Sequence, residues 1–319
     1  MPAAIDGRSP IGNVVLDSAG DVFGTTYYGG SFDSGTVFKI DAAGVETVLY
    51  SFTGSNDGKW PIGLVEDSAG NLYGCTQMGG TSFGGVVYRL DKDGNQTVLY
   101  NFTGIFSGPD GAAPQAPLAM DGAGNFYGTT AAGGGFSNCN GSGCGTVFKL
   151  ERSGQVTILY AFTGGADGAN PDSGVIVDRQ GNLYGTTSSG GDLTCRVVLG
   201  GCGVVFKVDQ SGRQTVLQTF HGGIDGAYPF FANLVRDAAG NLFGTTSLGG
   251  NLNCNPPSGC GNVFELAPAG RERVLHLFNG TKATSPYSGL TLDRLGNLYG
   301  TTYYSGASAG AGSVYEIRP

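Results

Sequence analysis

Apolar residues along this chain come in short bursts rather than long runs. Each burst is rich in Val, Ile, Leu, Tyr, Phe and Thr, and each is bounded by Gly, Asp, Asn or Ser. Those are strand and turn signals. No stretch carries an apolar 3.6-residue period long enough for a helix. One burst reads "GNLYGTT" at 181–187 and 296–302, with near-copies "GDVFGTT" (20–26), "GNLYGCT" (70–76), "GNFYGTT" (124–130) and "GNLFGTT" (240–246). A second burst follows each: "GTVFKI" (35–40), "GVVYRL" (85–90), "GTVFKL" (145–150), "GVVFKV" (203–208), "GNVFEL" (261–266) and "GSVYEI" (312–317). A third, "TVLYSF" (47–52), recurs at 97–102, 157–162, 215–220 and 273–278, and a fourth, such as "GLVED" (63–67), precedes each first one.

The connections fit antiparallel hairpins. "DSAGN" (67–71), "DRQGN" (178–182) and "DAAGN" (237–241) place Asp where it bonds the turn backbone and Gly where a left-handed residue is needed. "DAAG" (41–44), "DKDG" (91–94) and "DQSG" (209–212) do the same one hairpin later. The unit is therefore four antiparallel strands, and it recurs at spacings of 50, 54, 57, 59 and 56 residues. A single four-stranded sheet cannot bury both faces, whereas radial stacking buries each against the next. That arrangement is an all-β, six-bladed β-propeller. A β-solenoid is the rival, but its repeats are shorter and lack four separate strands. The expected blades are 8–56, 57–109, 110–166, 167–224, 225–281 and 282–319, forming one domain over 1–319.

The series G-N-L-Y-G-T-T, then G-G, then G-x-V-F-K-L resembles the bacterial GloVer tandem repeat of choice-of-anchor GloVer-containing proteins. The resemblance covers essentially the whole chain. It implies an exported surface or extracellular protein and carries no catalytic residues with it.

Aligning the copies leaves blade six with three strands. The first blade starts at "DGRSP" (6–10) with no "TVLYSF" strand before it, and the chain stops just after 312–317. The expectation is either that trimming removed a signal peptide and a strand, or that the ring closes by face packing. The edge 312–317 is then open to pairing with another chain.

Six of the seven cysteines form local pairs, Cys139 with Cys144, Cys195 with Cys202 and Cys254 with Cys260. All lie between the second and third strands of blades three, four and five, where that loop is longest. Disulfides stapling loop extensions fit this correlation; with two Cys per pair and only two His in the chain, zinc does not. Disulfides imply an extracellular, periplasmic or cell-surface location. Cys75 replaces a repeat Thr and reads as a buried free thiol.

The longer, stapled loops share one rim with the blade-to-blade loops, so a localised site belongs there. The segment D-G-x-x-P enters five blades with Asp6, Asp57, Asp110, Asp167 and Asp225, and the sixth copy has Lys282 in place of Asp. Ringed carboxylates suit a polar ligand or an axial cation such as calcium, while Asp bonding its own turn is the architectural alternative. Residues that break the repeat say more. Tyr27 and Tyr28 follow the first "GTT", and Tyr303 and Tyr304 the last; Trp60 lies in the loop entering blade two and Tyr287 near blade six, while Tyr228, Phe230 and Phe231 make a second group at blade five. Aromatic faces with polar tips suit sugars or partner side chains. His221 replaces the Thr of "FTG" and His276 alternates within a strand. Neither has a visible Ser or Cys partner.

Sixty glycines among 319 residues would suggest low complexity, but 40% hydrophobic content supports a packed core and ties the glycines to turns. The net charge of −8 disfavours nucleic acid, and no apolar run spans a membrane. No cofactor is expected. The leading expectation is a secreted or surface-displayed binding propeller that recognises a glycan or protein. The alternatives are a lyase or hydrolase acting on an extracellular glycan or lactone at the axial mouth, and a purely structural or adhesive repeat.

Overall fold

A computed structural model describes residues 6–104, 108–135, 139, 141–280, 284–304 and 311–318. They form a six-bladed β-propeller of antiparallel sheets, with no helix among them. Blades two to five each hold four strands in sequence order, and blade six holds three: Thr291–Leu292, Leu298–Thr302 and Ser313–Ile317. Blade one departs from the expected four. Its entry segment Gly7–Pro10 pairs with the long strand Val22–Gly29 beside Val15–Leu16, making a five-stranded sheet. The first strand of most blades is also shorter than its apolar pattern suggests, only two residues as in Ile176–Val177.

The recurring seven residues now have a physical reason. In "DSAGNLY", Asp67 Oδ1 accepts the backbone N–H of Ala69 and Asn71, and Oδ2 accepts Asn71 Nδ2 and the Tyr73 hydroxyl at 2.9 and 3.0 Å. Asp121 and Asp178 repeat the set with Tyr127 and Tyr184. The Asp, the Asn and the Tyr are therefore one hydrogen-bonded turn. The Gly after the Tyr answers to the next motif instead: a Cβ on Gly185 would stand 2.7 Å from the Phe206 ring, and one on Gly244 2.6 Å from Phe264. The second Thr closes the edge by donating to the carbonyl two residues on, as Thr76 does to Met78 at 2.9 Å.

Packing divides the chain into two compact units, one running to Ala161 and one from Phe162. Inside each, the Phe that ends an outer strand meets the third-strand ring of the following blade edge to face. Phe52–Tyr88 and Phe102–Phe148 do so in the first unit, at centroid distances of 5.0 and 5.3 Å. Phe162–Phe206, Phe220–Phe264 and Phe278–Tyr315 do so in the second. All five outer phenylalanines are fully buried. Such rings, at roughly 0.5–1.5 kcal/mol per pair beyond burial, couple blade to blade.

The three cysteine pairs are disulfides with Cα–Cα separations of 5.4, 5.8 and 5.7 Å. Three staples in one chain point to an oxidising, extracellular environment. Cys75 is fully buried with a free thiol, which burial pushes upward and keeps protonated. Among the described residues no helix is long and apolar enough to cross a membrane.

Candidate functional site

Three positions in each blade are locked side by side by one backbone arrangement. The first is the residue before the proline of the blade's entry segment: Ser9, Trp60, Ala113, Asn170, Tyr228 and Ser285. All six have φ between 51° and 63°. That left-handed conformation is uncommon without Gly and strained for a bulky ring. The second position follows the proline: Ile11, Ile62, Gln115, Asp172, Phe230 and Tyr287. The third follows "GTT": Tyr27, Gln77, Ala131, Ser188, Ser247 and Tyr303. In blades two, three, five and six the amide of the left-handed residue donates to the previous blade, as Trp60 does to the Ser34 carbonyl and Tyr228 to that of Cys202, at 2.9 and 3.0 Å. Its carbonyl accepts the amide of the third position, as Tyr228 does from Ser247 and Ser285 from Tyr303. The left-handed conformation is the same throughout, and the side chains decide what each blade presents.

Four of the five entry aspartates are occupied by the turn itself. Asp57 accepts the Thr53 amide at 2.8 Å, the Thr53 hydroxyl and the Tyr50 hydroxyl at 3.0 Å. Asp110 holds Thr103 and Tyr100 in the same way. Asp167 takes the Thr163 amide and hydroxyl at 2.8 and 2.5 Å. In blade five His221 replaces the Thr, and both its amide and its Nδ1 lie on Asp225 Oδ2, at 2.7 and 3.0 Å. Lys282 lies outside the described residues. Among the described residues no three His, Cys, Asp or Glu side chains converge as metal ligands would.

In the first unit Tyr27 stacks on Trp60 with centroids 5.0 Å apart and planes 14° apart, and Tyr28 meets both edge on. Cations cover what remains: Lys59 Nζ lies 4.7 Å from the Trp60 ring and Arg8 5.0 Å from that of Tyr28. Arg8 is itself paired with Asp33 at 2.7 Å, which holds the Asp33 carboxyl below its usual range. The Tyr27 hydroxyl donates to Gln77, and burial together with Tyr28 pushes it up to about 12. Trp60 Nε1 is buried with no acceptor among the described residues.

The second unit holds a longer row. Tyr228 stacks on Phe230 at 5.0 Å, Phe230 also touches Phe231 and Tyr287, Tyr287 meets Tyr303, and Tyr303 meets Tyr304. Exposure rises along it: Tyr228, Phe230 and Tyr287 are half-buried, while Tyr303 and Tyr304 are 61% and 47% exposed. No cation lies over any ring of this row among the described contacts. Near its inner end Asp172 is 6% exposed and bonded by the Ser188 hydroxyl at 2.5 Å. Burial raises that carboxyl to about 7, and burial first, then the charge of Asp172, lifts Tyr228 to about 12.

The sequence singled out the tyrosines and Trp60, and the structure joins them in these two groups. It did not single out Asp172 or Glu272. Asp172 had a signal, since it is a lone carboxylate at a position held elsewhere by Ile, Gln, Phe or Tyr. Glu272 opens an outer strand where Gln96 and Gln214 donate to the carbonyls of Asp57 and Asp167, at 3.1 and 3.2 Å. Its Oε2 accepts Gln218 at 2.7 Å, and its buried Oε1 has no partner among the described residues. Burial first, then the charge of Asp225, raises it to about 7.

The model of the Gloeobacter/Verrucomicrobia repeat matches residues 3–199 and 198–319. No curated protein matches the chain. Among solved structures it is similar to virginiamycin B lyase from Staphylococcus aureus, with a TM-score of 0.61, 14% identity and coverage of 100% of this chain and 88% of that one. It is also similar to a luciferin-regenerating enzyme, with a TM-score of 0.57, 14% identity and coverage of 100% and 93%. A gluconolactonase from Xanthomonas campestris gives a TM-score of 0.55, 14% identity and coverage of 99% and 88%. At such identity the likeness is one of fold.

Proposed function

We propose, for a chain that belongs to the Gloeobacter/Verrucomicrobia repeat family, that it is a secreted or surface-displayed propeller that binds a glycan through the aromatic row of its second unit. The observation that carries this reading is the pair of exposed rings, Tyr303 and Tyr304, continuing a half-buried row that anchors them. Rings fixed from behind and open in front offer area to a sugar face at little ordering cost, and their hydroxyls supply polar tips. An uncharged row on an acidic protein favours a neutral glycan over an anionic one. A glycan array read with the parent and with Tyr303→Ala and Tyr304→Ala tests it. Each substitution is expected to weaken binding by roughly thirtyfold, the scale of a 2 kcal/mol hot spot. Binding unchanged in both overturns the reading.

One observation favours a second reading, an extracellular lyase or hydrolase. Glu272, raised to about 7, stands beside the His221–Asp225 pair and so offers a proton-transferring carboxyl near neutral pH. Turnover across lactone and glycan panels, lost in Glu272→Gln, supports it; no turnover by the parent rules it out.

A further inference from the structure

Two of the three disulfides lie against the segments that carry the aromatic row of the second unit. Cys195–Cys202 closes the loop 192–202 of blade four, and Cys254–Cys260 closes the loop 251–260 of blade five. Their sulfurs press on the glycine that leads into the following blade. A Cβ on Gly222 would stand 3.1 and 3.2 Å from the sulfurs of Cys195 and Cys202, and one on Gly280 would stand 2.7 Å from that of Cys254. Cys195, Cys202 and Tyr228 also pack in one apolar cluster. The second cysteine of each pair then holds the row by its backbone. The Cys202 carbonyl accepts the amide of Tyr228, and the Tyr228 carbonyl accepts that of Ser247, at 3.0 and 3.1 Å. The Cys260 carbonyl accepts the amide of Ser285 at 3.1 Å, and the Ser285 carbonyl accepts that of Tyr303 at 3.0 Å. Thr284 and Tyr304 exchange both of their amide bonds alongside. The inner ring of the row is therefore tied directly to one staple, and its exposed rings are tied to the other through Ser285.

The first unit makes the same bond without a staple. The Ser34 carbonyl accepts the Trp60 amide and the Gly84 carbonyl that of Ala113, both at 2.9 Å. The loops there are short, 31–34 and 81–84, and their length alone leaves the accepting residue little room. The loops 192–202 and 251–260 contain more chain and so more conformations, which a cross-link removes. The repeat itself does not call for the cysteines. In the second unit they occur where a long loop supplies the carbonyl that holds a residue of the row or its neighbour.

We infer that Cys195–Cys202 and Cys254–Cys260 are positioning groups for the aromatic row, fixing its rings for the ligand through the carbonyls of Cys202 and Cys260. The inference rests on the glycan reading above for the ligand, and on the bonds alone for the clamp. Rings held from behind meet a sugar face already ordered, whereas released rings must be ordered at each encounter.

The test compares amide exchange and glycan-array binding of the full chain with those of paired variants. Cys254→Ser with Cys260→Ser should speed exchange of the Ser285, Tyr303 and Tyr304 amides and weaken array binding, each by roughly tenfold, the scale of ordering two side chains. Cys195→Ser with Cys202→Ser should do the same at Tyr228 and Ser247. Either pair tests the inference by itself, so one variant that folds is enough. Two controls separate positioning from stability. Cys139→Ser with Cys144→Ser loses a staple of similar span, so it should lower the melting midpoint comparably yet leave Tyr303 and Tyr304 exchange at the parent rate. Replacing 251–260 by the sequence of 81–84 removes the cysteines and restores a short loop, so it should return Ser285 and Tyr303 to parent exchange. Exchange that rises equally at Trp60, or that stays at the parent rate at Ser285 and Tyr303, overturns the inference. Exchange needs no ligand, so a parent that binds nothing on the array removes the glycan reading and leaves the clamp standing.

Discussion

The two aromatic groups grow from the same backbone positions and come out as opposites. In the first unit the left-handed residue is Trp60, and its ring faces are taken by Tyr27 and Lys59. The group is closed and framed by charge. In the second unit the left-handed residue is Tyr228, and the proline is followed by Phe230 in one blade and Tyr287 in the next. The group extends outward, ends in exposed rings and has a buried carboxyl rather than a cation near its inner end. The difference shows how a repeat separates architecture from recognition. The turn aspartates, the Gly against the ring and the left-handed pre-proline residue recur because each blade needs them. The three neighbouring side chains are free to vary, and their variation makes one face a stack and the other a row.

The largest expected effect that separates the two groups is one of pH. Asp172 moves from 3.8 to about 7 in the folded protein. Between those values the folded protein holds a proton that the unfolded chain has released, so this carboxyl's contribution to stability is fully present below about pH 4 and is lost as pH rises to about 7. The linkage of such a rise is of order 4 kcal/mol. Asp172→Asn keeps an acceptor for Ser188 and removes the ionisation. Denaturation at pH 4 and at pH 8.5 should show the variant close to the parent in acid and more stable in alkali. Equal differences at both pH values would mean that the carboxyl is not desolvated. Glu272 adds a smaller contribution of the same sign, since it is partly solvated.

Next in size is the loss of the ring that joins the row. Phe230→Ala detaches Tyr228 from Phe231 and Tyr287, at a cost of about 2 kcal/mol for a half-buried ring. Trp60→Gly removes a comparable ring but also a left-handed backbone that costs a bulky residue about 1–2 kcal/mol. The two nearly cancel, so chemical denaturation should show Trp60→Gly clearly milder than Phe230→Ala. In binding the contrast runs the same way: Tyr28→Ala, within the closed group, should change glycan affinity less than threefold, far below the effect of Tyr304→Ala.

Much of this was legible in the sequence, and the physical reason is periodicity. A turn that needs Asp, Gly, Asn and Tyr in fixed order repeats visibly, and so six blades, their hairpins and the missing sixth outer strand could be read from spacing. The disulfides were legible because paired cysteines tracked loop length. Asp57 and Asp167 illustrate a choice that sequence leaves open: a carboxylate spent on Thr53 or Thr163 reads the same as one facing a ligand. The stacking of Tyr27 on Trp60 was hidden because it depends on a left-handed residue that sequence disguises as an ordinary pre-proline position. Asp172 and Glu272 were missed because desolvation belongs to the packed neighbours and leaves no local pattern.

The smallest expected effect concerns the ionic frame of the first group. Arg8 lies over Tyr28 and is bonded to Asp33 through two nitrogens, yet Arg8 and Asp33 are 63% and 52% exposed. Exposed ions are screened within about 10 Å at 0.1 M salt, so their attraction depends on the medium rather than the fold. Arg8→Gln should therefore lower the melting midpoint slightly in dilute buffer and not at all in molar salt. Tyr303→Ala in the second group, which loses only ring contact, should show the same small shift in both. If the Arg8 difference persists in molar salt, its methylene stem is packing on Tyr28. The first group would then be held by contact, like the second, and charge would no longer distinguish them.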